Sequence, residues 1–181
     1  MIVFLDLETT GLNPRKDEIL EVAAIITDDA FTEVQRYQRV LWSMVAKHDG
    51  ADPEIDPVVT EIHATSGLWK ESAARSAAMG YDVRAALCTI LGAYEGRHLL
   101  AGNTIGFDKS FVDVQWPDVA ALLHYRSIDV SSFNEMAKRF WPDVYKGRPT
   151  PGKAHRAMAD CEESLATARY YTRALGSVLP P

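Results

Sequence analysis

Long apolar runs interrupted by single acidic residues mark the start of the chain. Residues 1–7 are apolar apart from Asp6, and residues 18–28 are apolar at most inner positions. Short apolar runs that are rich in β-branched residues predict buried strands. Residues 33–43 alternate more loosely between apolar and polar and predict a third strand. Turn residues at 11–14 (Gly-Leu-Asn-Pro) indicate a hairpin between the first two strands.

Helices and short strands alternate in the remainder of the chain. Gly and Pro concentrate in residues 48–57 and 145–153, which we expect to be loops. The apolar spacing elsewhere predicts two or more short helices in 56–95, a strand at 97–102, helices at 106–115 and 117–124, a strand at 126–129, and helices at 131–141 and 156–175.

This order of elements predicts the fold class. Hairpin-connected strands followed by strand–helix alternation indicate an α/β fold with a mixed sheet and helices on both faces. A chain of 181 residues suits one compact domain, and no repeat or long linker divides it. We expect a single domain over residues 1–176 and a short, frayed tail over residues 177–181.

Charge is distributed unevenly along the chain. The net charge of −6 argues against a protein that tracks along nucleic acid on a basic surface. Residues 1–35 carry eight acidic and two basic side chains, whereas residues 138–156 carry six basic and one acidic. The basic segment either guides a short anion to an acidic site or forms a solvated surface, and both interpretations stay open. Within it, Arg156 either contacts phosphate or faces solvent.

Cysteine usage and the absence of long apolar segments bear on the compartment. Cys88 and Cys161 are isolated, so the sequence indicates neither a zinc site nor a disulfide, and two buried thiols are the simplest interpretation. The apolar run before Asp6 is too short for a secretory signal and has no basic residues in front. No apolar stretch approaches the roughly 20 residues that a membrane span needs. We therefore expect a protein of the reducing cytoplasm.

Two carboxylates interrupt the first apolar run. Asp6 and Glu8 are two residues apart, which on a strand places both side chains on one face. Like charges side by side in an apolar strand cost stability unless a cation joins them. An exposed edge strand would tolerate the pair without a metal. Because apolar neighbours occupy both faces, we expect a central strand instead.

Further candidate residues lie in two later segments. Asp108 is expected in the first turn of a helix after the strand that ends near Asn103, and open α/β sheets bind ligands at such strand ends. Asn103 is either a turn residue or a residue that helps to orient the site. His155 and Asp160 are five residues apart, a poor spacing for one helix face. We therefore expect His155 on the loop and Asp160 inside the last helix.

Together these residues predict a metal-dependent nuclease. Histidine side chains exchange protons near neutral pH, so His155 is the candidate general base for an attacking water. Mg²⁺ and Mn²⁺ prefer hard oxygen ligands, and two such ions would balance the charge of four carboxylates. The candidate metal ligands are Asp6, Glu8, Asp108 and Asp160.

Three segments of the chain resemble the motifs of the DEDD superfamily of 3′–5′ exonucleases, in the subgroup with a histidine in the third motif. They are Asp-Leu-Glu at 6–8, Asn-Thr-Ile-Gly-Phe-Asp at 103–108 and His-Arg-Ala-Met-Ala-Asp at 155–160. The resemblance implies an RNase H-like fold with a five-stranded mixed sheet flanked by helices on both faces. It also implies phosphodiester hydrolysis with two divalent ions, Mg²⁺ or Mn²⁺.

Within that superfamily the chain is most similar to the oligoribonuclease family, whose members degrade very short RNAs, above all dinucleotides, to mononucleotides. The similarity extends from Phe4 to about Leu175. It is most specific at residues 124–132 (His-Tyr-Arg-Ser-Ile-Asp-Val-Ser-Ser), and residues 61–68 resemble a second substrate-binding segment.

The resemblance assigns substrate-binding roles to six residues. Leu12 would be a wedge against or between the two bases, and Tyr125 would come from the partner subunit of a homodimer. A closed cap on the 5′ phosphate would leave no room for a longer chain and so favour short substrates. The residues that would form this cap and its pocket are His63, Thr104, Arg126 and Ser131.

Four positions depart from the oligoribonuclease pattern. Thr9 replaces a usual Met and Phe107 a usual Gln, and both changes lean toward the wider superfamily. Thr104 replaces Ser and keeps the hydroxyl, and Val58 replaces an aromatic residue, typically Trp. The departures bear on dinucleotide selectivity rather than on catalysis.

Two other functions stay open. A general 3′–5′ exonuclease on single-stranded DNA or RNA, of the proofreading or repair type, would need an open basic or aromatic track beyond the site. The segment at Tyr125 and Arg126 argues instead for a closed one. A catalytically inactive nucleic-acid-binding or protein-binding module would have lost an acidic ligand or the histidine, and none is lost here.

Overall fold

Five strands form one mixed sheet in the computed structural model, which describes residues 1–48, 50, 55–75, 79–150, 152 and 155–176. The strands are β1 (Ile2–Thr9), β2 (Ile19–Thr27), β3 (Glu33–Val40), β4 (His98–Gly102) and β5 (Leu123–Asp129). Their spatial order is β3-β2-β1-β4-β5; β1 pairs antiparallel with β2 and parallel with β4, β2 pairs antiparallel with β3, and β4 pairs parallel with β5. The predicted mixed sheet with a central first strand is therefore confirmed.

Helices occupy the positions predicted from apolar spacing, with some shifts at their ends. A 3₁₀ helix at Val45–His48 follows β3. The α-helices in the described part of the chain are α1 (Pro57–Thr65), α2 (Leu68–Ala73), α3 (Met79–Gly92), α4 (Gly106–Gln115), α5 (Pro117–Ala120), α6 (Val130–Phe140), α7 (Pro142–Lys146) and α8 (Ala157–Gly176).

The boundary between α5 and β5 differs from the prediction. The helix ends at Ala120, earlier than expected, and the strand begins at Leu123 rather than at residue 126. Leu123 pairs with His98 of β4, and the His98 N–H donates to the Leu122 carbonyl at 3.0 Å. Pairing with the sheet satisfies these backbone groups and ends the helix.

The short helix α7 begins just before the segment predicted to be a loop and was missed. Its first residue is Pro142, a position where a proline loses no helical hydrogen bond and has the φ that a helix needs. Five residues are too few to show an apolar period, so the spacing of apolar residues does not predict this helix.

The two faces of the sheet pack against different helices, as predicted. The odd-numbered residues 3–7 of β1 join a core with α3, α4 and α5. The even-numbered residues 2 and 4 join a second core with α6 and α8. Since side chains alternate along a strand, Asp6 and Glu8 continue the second face, the one that α8 covers.

The last helix lies across β1 and β2 and positions the candidate site. The Cys161 thiol lies 3.5 Å from the Phe4 carbonyl of β1 and 3.4 Å from the Ala23 carbonyl of β2. This close packing brings the first turn of α8, which carries Asp160, beside Asp6. The buried apolar face of α8 follows the predicted spacing and includes Ala157, Cys161, Leu165, Ala168 and Tyr171.

Some expectations concern residues that lie outside the described part of the chain: the tail at 177–181 and portions of the loops predicted at 48–57 and 145–153. Both cysteines are free thiols; Cys161 is buried as expected, whereas Cys88 is only partly buried. Among the helices described, none is both long and apolar enough to cross a membrane.

Candidate active site

Three carboxylates from two elements meet on the α8 face of the sheet. Asp6 and Glu8 come from β1, and Asp160 comes from the first turn of α8. One oxygen of each lies within 4.8 Å of the others, which makes them a possible metal-binding group within the described residues. The two-residue spacing on the strand and the docking of α8 together produce this cluster.

The carboxylates of the cluster are held against their electrostatic preference. Burial raises the pKa of Asp6 to about 9, and repulsion from Asp108, Asp160 and Glu8 adds to the effect. Burial also raises the pKa of Glu8 to about 8, again with repulsion from Asp160. The pKa of Asp160 is raised by burial and by the charge of Glu163. Without a cation, Asp6 and Glu8 therefore retain protons at neutral pH.

Asp108 lies beside the cluster rather than within it. It is in the first turn of α4, and its Oδ1 accepts a hydrogen bond from the Leu7 N–H at 2.9 Å, between the two carboxylates of β1. Burial raises the pKa of Asp108 to about 7, although this backbone hydrogen bond opposes the shift. The structure thus places all four predicted carboxylates in one region, with three of them close enough to share an ion.

The composition of the cluster fits a divalent cation. Its donor atoms are carboxylate oxygens, the ligands that hard divalent ions prefer. A cation would offset both the burial and the mutual repulsion that raise the pKa values of Asp6 and Glu8. The residues that would hold it are Asp6, Glu8 and Asp160, with Asp108 alongside.

His155 faces the same region from the loop before α8. As predicted, it precedes the helix while Asp160 lies inside it. His155 is exposed and has a backbone φ of 45°, a conformation that non-glycine residues adopt rarely. Together with Asp6 and Asp160 it lines a polar cavity of about 500 Å³. An imidazole and carboxylates that share one cavity can act on one bound phosphate.

Arg156 neither faces solvent freely nor points to the cavity. Its guanidinium forms two hydrogen bonds with Glu21 of β2, at 2.9 and 3.0 Å, and a third with Glu71 of α2 at 2.8 Å. Glu21 was not identified from the sequence. The available signal was a single acidic residue inside the apolar run 19–26, because a buried charge requires a partner.

Asp129 connects two of the residues expected to bind phosphate, and it too was missed. Its Oδ1 accepts hydrogen bonds from the Thr104 N–H (3.1 Å), the Ser131 N–H (2.9 Å) and the Ser131 hydroxyl (2.6 Å). It is also the N-cap residue of α6. Thr104 has a φ of 54°, so a strained loop residue is tied to the start of a helix beside the cavity.

His63 lies beneath the cluster rather than in the open cavity. It is 2% exposed, and its Nε2 lies 2.9 Å from the Thr9 carbonyl, an acceptor, so the Nε2–H donates. The other nitrogen, Nδ1, has no hydrogen-bond partner and lies 3.9 Å from the Glu8 carboxylate. Burial lowers the pKa of His63, so it is neutral at pH 7. Trp69 packs edge-on against the ring.

The other predicted substrate-binding residues lie on the surface. Leu12 is 80% exposed and Tyr125 is 69% exposed, and the Arg126 guanidinium lies over the Tyr125 ring at 5.1 Å from its centre. Among the described residues, Ser131 lines the cavity, whereas Leu12 and Arg126 do not. The structure therefore brings Ser131 to the carboxylates and leaves Leu12, Tyr125 and Arg126 at the rim or beyond.

Solved exonuclease I structures share this fold. The zinc-bound form of the E. coli exonuclease I complex with single-stranded DNA gives a TM-score of 0.70 at 18% identity, over 98% of this chain and 41% of that one. A complex of the same enzyme with a dT13 oligonucleotide gives 0.66 at 18% identity, over 98% and 43%. The chain thus spans about two fifths of exonuclease I, and the likeness establishes an RNase H-like fold.

Sequence relatives are more similar and match over nearly their full length. The exonuclease family model matches residues 3–168. The oligoribonuclease of Tropheryma whipplei (strain Twist) is 39% identical over 94% of this chain and 90% of its own. That of Mycobacterium ulcerans (strain Agy99) is 37% identical over 95% and 80%. With the carboxylates of β1 and α8 grouped together and Asp108 of α4 beside them, the chain belongs to the exonuclease family and, within it, to the oligoribonucleases.

Proposed function

We propose that this protein is a 3′–5′ exoribonuclease that hydrolyses very short RNAs, chiefly dinucleotides, to 5′-mononucleotides. The observation that carries the proposal is the group formed by Asp6, Glu8 and Asp160, of which Asp6 and Asp160 line one polar cavity together with His155. The oligoribonuclease relatives supply the substrate class. The cavity has a volume of about 500 Å³, which suits a small substrate.

Two divalent ions, Mg²⁺ or Mn²⁺, are the proposed cofactors. The four carboxylates named above would hold them, and their combined charge matches that of two such ions. When bound, the ions lower the pKa of water and offset negative charge on the phosphate and on the leaving oxygen.

His155 is the proposed general base. Its side chain would take one proton from the water that attacks phosphorus, while the bond from phosphorus to the 3′ oxygen breaks. Its exposure and its position on the cavity wall leave it free to reach a water there. Neutral His63 lies with its unprotonated Nδ1 3.9 Å from the Glu8 carboxylate, so it adds no positive charge there and donates no hydrogen bond to it.

Selectivity for short RNA would come from a cap on the 5′ phosphate. Ser131 lines the cavity. Asp129 accepts hydrogen bonds from both Ser131 and Thr104 and so holds these two residues together. As the similarity to oligoribonucleases implies, Arg126 would complete the cap with His63 behind it. Leu12 would wedge against or between the bases. A phosphate bound by hydroxyl groups and a guanidinium terminates the site, so a longer chain has no room beyond it.

A homodimer is the proposed assembly. Tyr125 is exposed on β5, an edge strand of the sheet, and would reach the site of the partner subunit. Unpaired edges and exposed aromatic residues are surfaces that proteins cover by association.

A general exonuclease on single-stranded DNA or RNA is the second candidate. The structural likeness to exonuclease I bound to single-stranded DNA favours it, as do Thr9 and Phe107 at positions where oligoribonucleases usually differ. If this candidate is right, longer oligonucleotides should be cleaved at least as fast as dinucleotides.

The experiment that separates the two candidates compares substrates of different length. We would measure cleavage of 5′-labelled RNAs of two and seven nucleotides in Mn²⁺, beside a single-stranded DNA of seven. We expect the dinucleotide to be cleaved at least about tenfold faster, because only its 5′ phosphate reaches the cap. Equal or faster cleavage of the longer substrates would assign the protein to the general exonucleases.

A matched pair of variants in α4 ties that activity to the site. Asp108→Ala removes a carboxylate beside the cluster and should lower the rate at least about 100-fold. Asp113→Ala removes an exposed carboxylate of the same helix that pairs with Lys109 on the surface, and should leave the rate unchanged. Loss of activity in both variants would point to damage of α4 rather than to loss of a ligand.

A further inference from the structure

An ion pair between buried Glu21 and partly exposed Arg156 has no role in the chemistry proposed so far. Glu21 of β2 is fully buried, and four hydrogen bonds saturate its carboxylate. Two come from Arg156, one comes from the Gln38 side chain at 2.7 Å, and one comes from the Ala157 N–H at 3.1 Å. Since Ala157 is the first residue of α8, Glu21 also fixes where that helix begins.

Arg156 directly follows His155, so the ion pair acts on the chain next to the candidate base. His155 has a φ of 45°, and such a conformation persists only where the surrounding structure enforces it. The Arg156 side chain binds Glu21 and Glu71, and its carbonyl accepts from the Asp160 N–H at 3.1 Å. Arg156, the residue that follows His155, is therefore held by hydrogen bonds of both its side chain and its backbone.

Net stability does not explain this arrangement. Removing two charges from water costs about as much as their attraction returns, and apolar replacements of buried ion pairs are often neutral or stabilising. An arginine–carboxylate pair with two parallel hydrogen bonds does, however, define one orientation. Glu21 also lies directly across from Glu8 in the β1–β2 register, which links the pair to the cluster.

We propose that Glu21 and Arg156 are positioning residues that hold His155 in the orientation needed to accept a proton from the attacking water. Neither residue touches the substrate; the pair acts through the fixed backbone of His155. Glu71 supports the pair because it also accepts a hydrogen bond from Arg156. The inference rests on the role of His155 proposed above.

The test uses Arg156→Lys, which keeps the charge but loses the two-bond geometry. The substrate is the p-nitrophenyl ester of thymidine 5′-monophosphate, an activated phosphodiester whose cleavage does not depend on RNA length. We expect kcat to fall about 10- to 100-fold and KM to change less than about threefold, because positioning affects the chemical step. Glu71→Gln, a milder change at a half-exposed site, should lower kcat less.

Arg36→Gln is the matched control, because Arg36 also joins a strand to α8 through an ion pair, with Glu162, but at an exposed site away from His155. Its kcat should equal that of the unmodified protein. If kcat is unchanged in Arg156→Lys and in Glu71→Gln, the proposal is wrong. Should Arg156→Lys fail to fold by circular dichroism, Glu71→Gln decides alone.

A double-variant cycle distinguishes positioning from general damage. In a His155→Ala background Arg156→Lys should have no further effect on kcat, because the side chain it positions is gone. The same fold-loss in both backgrounds would show that Arg156 acts through the carboxylates or through folding, and would overturn the proposal. If the unmodified protein with Mn²⁺ cleaves neither the ester nor the RNA dinucleotide, it is the proposed function that fails.

Discussion

Asp6 and Glu8 occupy positions that apolar side chains could fill at lower free-energy cost. Both continue the face of β1 on which residues 2 and 4 are buried, and both have pKa values raised by burial and mutual repulsion. Such groups destabilise the fold unless a cation or a proton neutralises them. The residues that would bind metal are therefore also the residues at which function and stability oppose each other.

Replacing one of these carboxyls by a neutral amide should stabilise the metal-free protein, because the folded state then no longer has to bind a proton that the unfolded chain releases. In EDTA at pH 8, Asp6→Asn should raise Tm, on the scale of about 2–4 °C for each kcal/mol gained. Asp143→Asn is the control, because Asp143 has a side chain 94% exposed and should leave Tm unchanged. Thermal melting followed by circular dichroism gives both values. A lower Tm in Asp6→Asn would mean that the carboxylate contributes to the fold without a metal.

The stability of the metal-free protein should depend on pH in a definite direction. Burial raises the pKa of Asp6 from its ordinary value of 3.8 to about 9, so the folded state binds more protons than the unfolded state between those pH values. Stability therefore falls as pH rises from about 4 to about 9. Melting temperatures in EDTA across this range should show the decline, and Asp6→Asn should make it shallower. A Tm that rises with pH up to 9 would contradict the burial of these carboxyls.

The affinity for metal should change with pH in the opposite direction to the stability of the metal-free protein. Protons must leave Glu8, with its pKa near 8, and Asp6 before a cation can bind, so Mn²⁺ affinity should increase between pH 6 and pH 9. Isothermal titration in two buffers of different ionisation enthalpy at pH 7 should detect the released protons. Affinity that does not change with pH would indicate that Mn²⁺ binds elsewhere.

At the scale of elements, the sequence predicted those features that depend on neighbours along the chain. The shared face of Asp6 and Glu8 follows from the two-residue period of a strand, and the strands from their apolar runs. What it did not reveal depends on distant partners. Glu21 resembles an interruption in an apolar strand until Arg156 is placed against it, 135 residues later. The link from Asp129 to Thr104 likewise requires two segments to meet.

The N-cap of α6 gives a prediction at this scale. Asp129→Ala removes the acceptor shared by Thr104 and Ser131, so it should cost about 0.5–2 kcal/mol and raise KM for the dinucleotide. Asp56→Ala, the control, removes an equivalent N-cap from α1, where the acid accepts from the Val58 N–H at 2.8 Å. We expect a similar loss of stability there with unchanged KM. Equal KM values in the two variants would show that Asp129 does not contribute to the phosphate cap.

At the scale of the whole molecule, the apolar surface lies on the side of β5. A cavity of about 500 Å³ opens between β5, α6 and α8. Tyr125 is exposed on the same strand, and Phe133, Met136 and Phe140 are exposed along α6. Because the proposed trans-acting residue and the apolar side chains lie on adjoining elements, this is the surface at which we expect the two subunits to meet. The residues that line the cavity include Phe31, Ile128, Phe133, Met136, Tyr171 and Leu175.

Complementation between two inactive variants tests the dimer and the trans role of Tyr125 together. Tyr125→Ala and Asp160→Asn subunits, co-expressed with different tags and purified as the heterodimer, should cleave the dinucleotide at about half the unmodified rate, because one of two sites is intact. A heterodimer of His155→Ala and Asp160→Asn subunits, in which every site carries one lesion, should stay inactive. If the first heterodimer forms but is no more active than its parents, Tyr125 acts within its own subunit. If no heterodimer can be isolated and the protein sediments as a monomer, the proposed assembly is wrong.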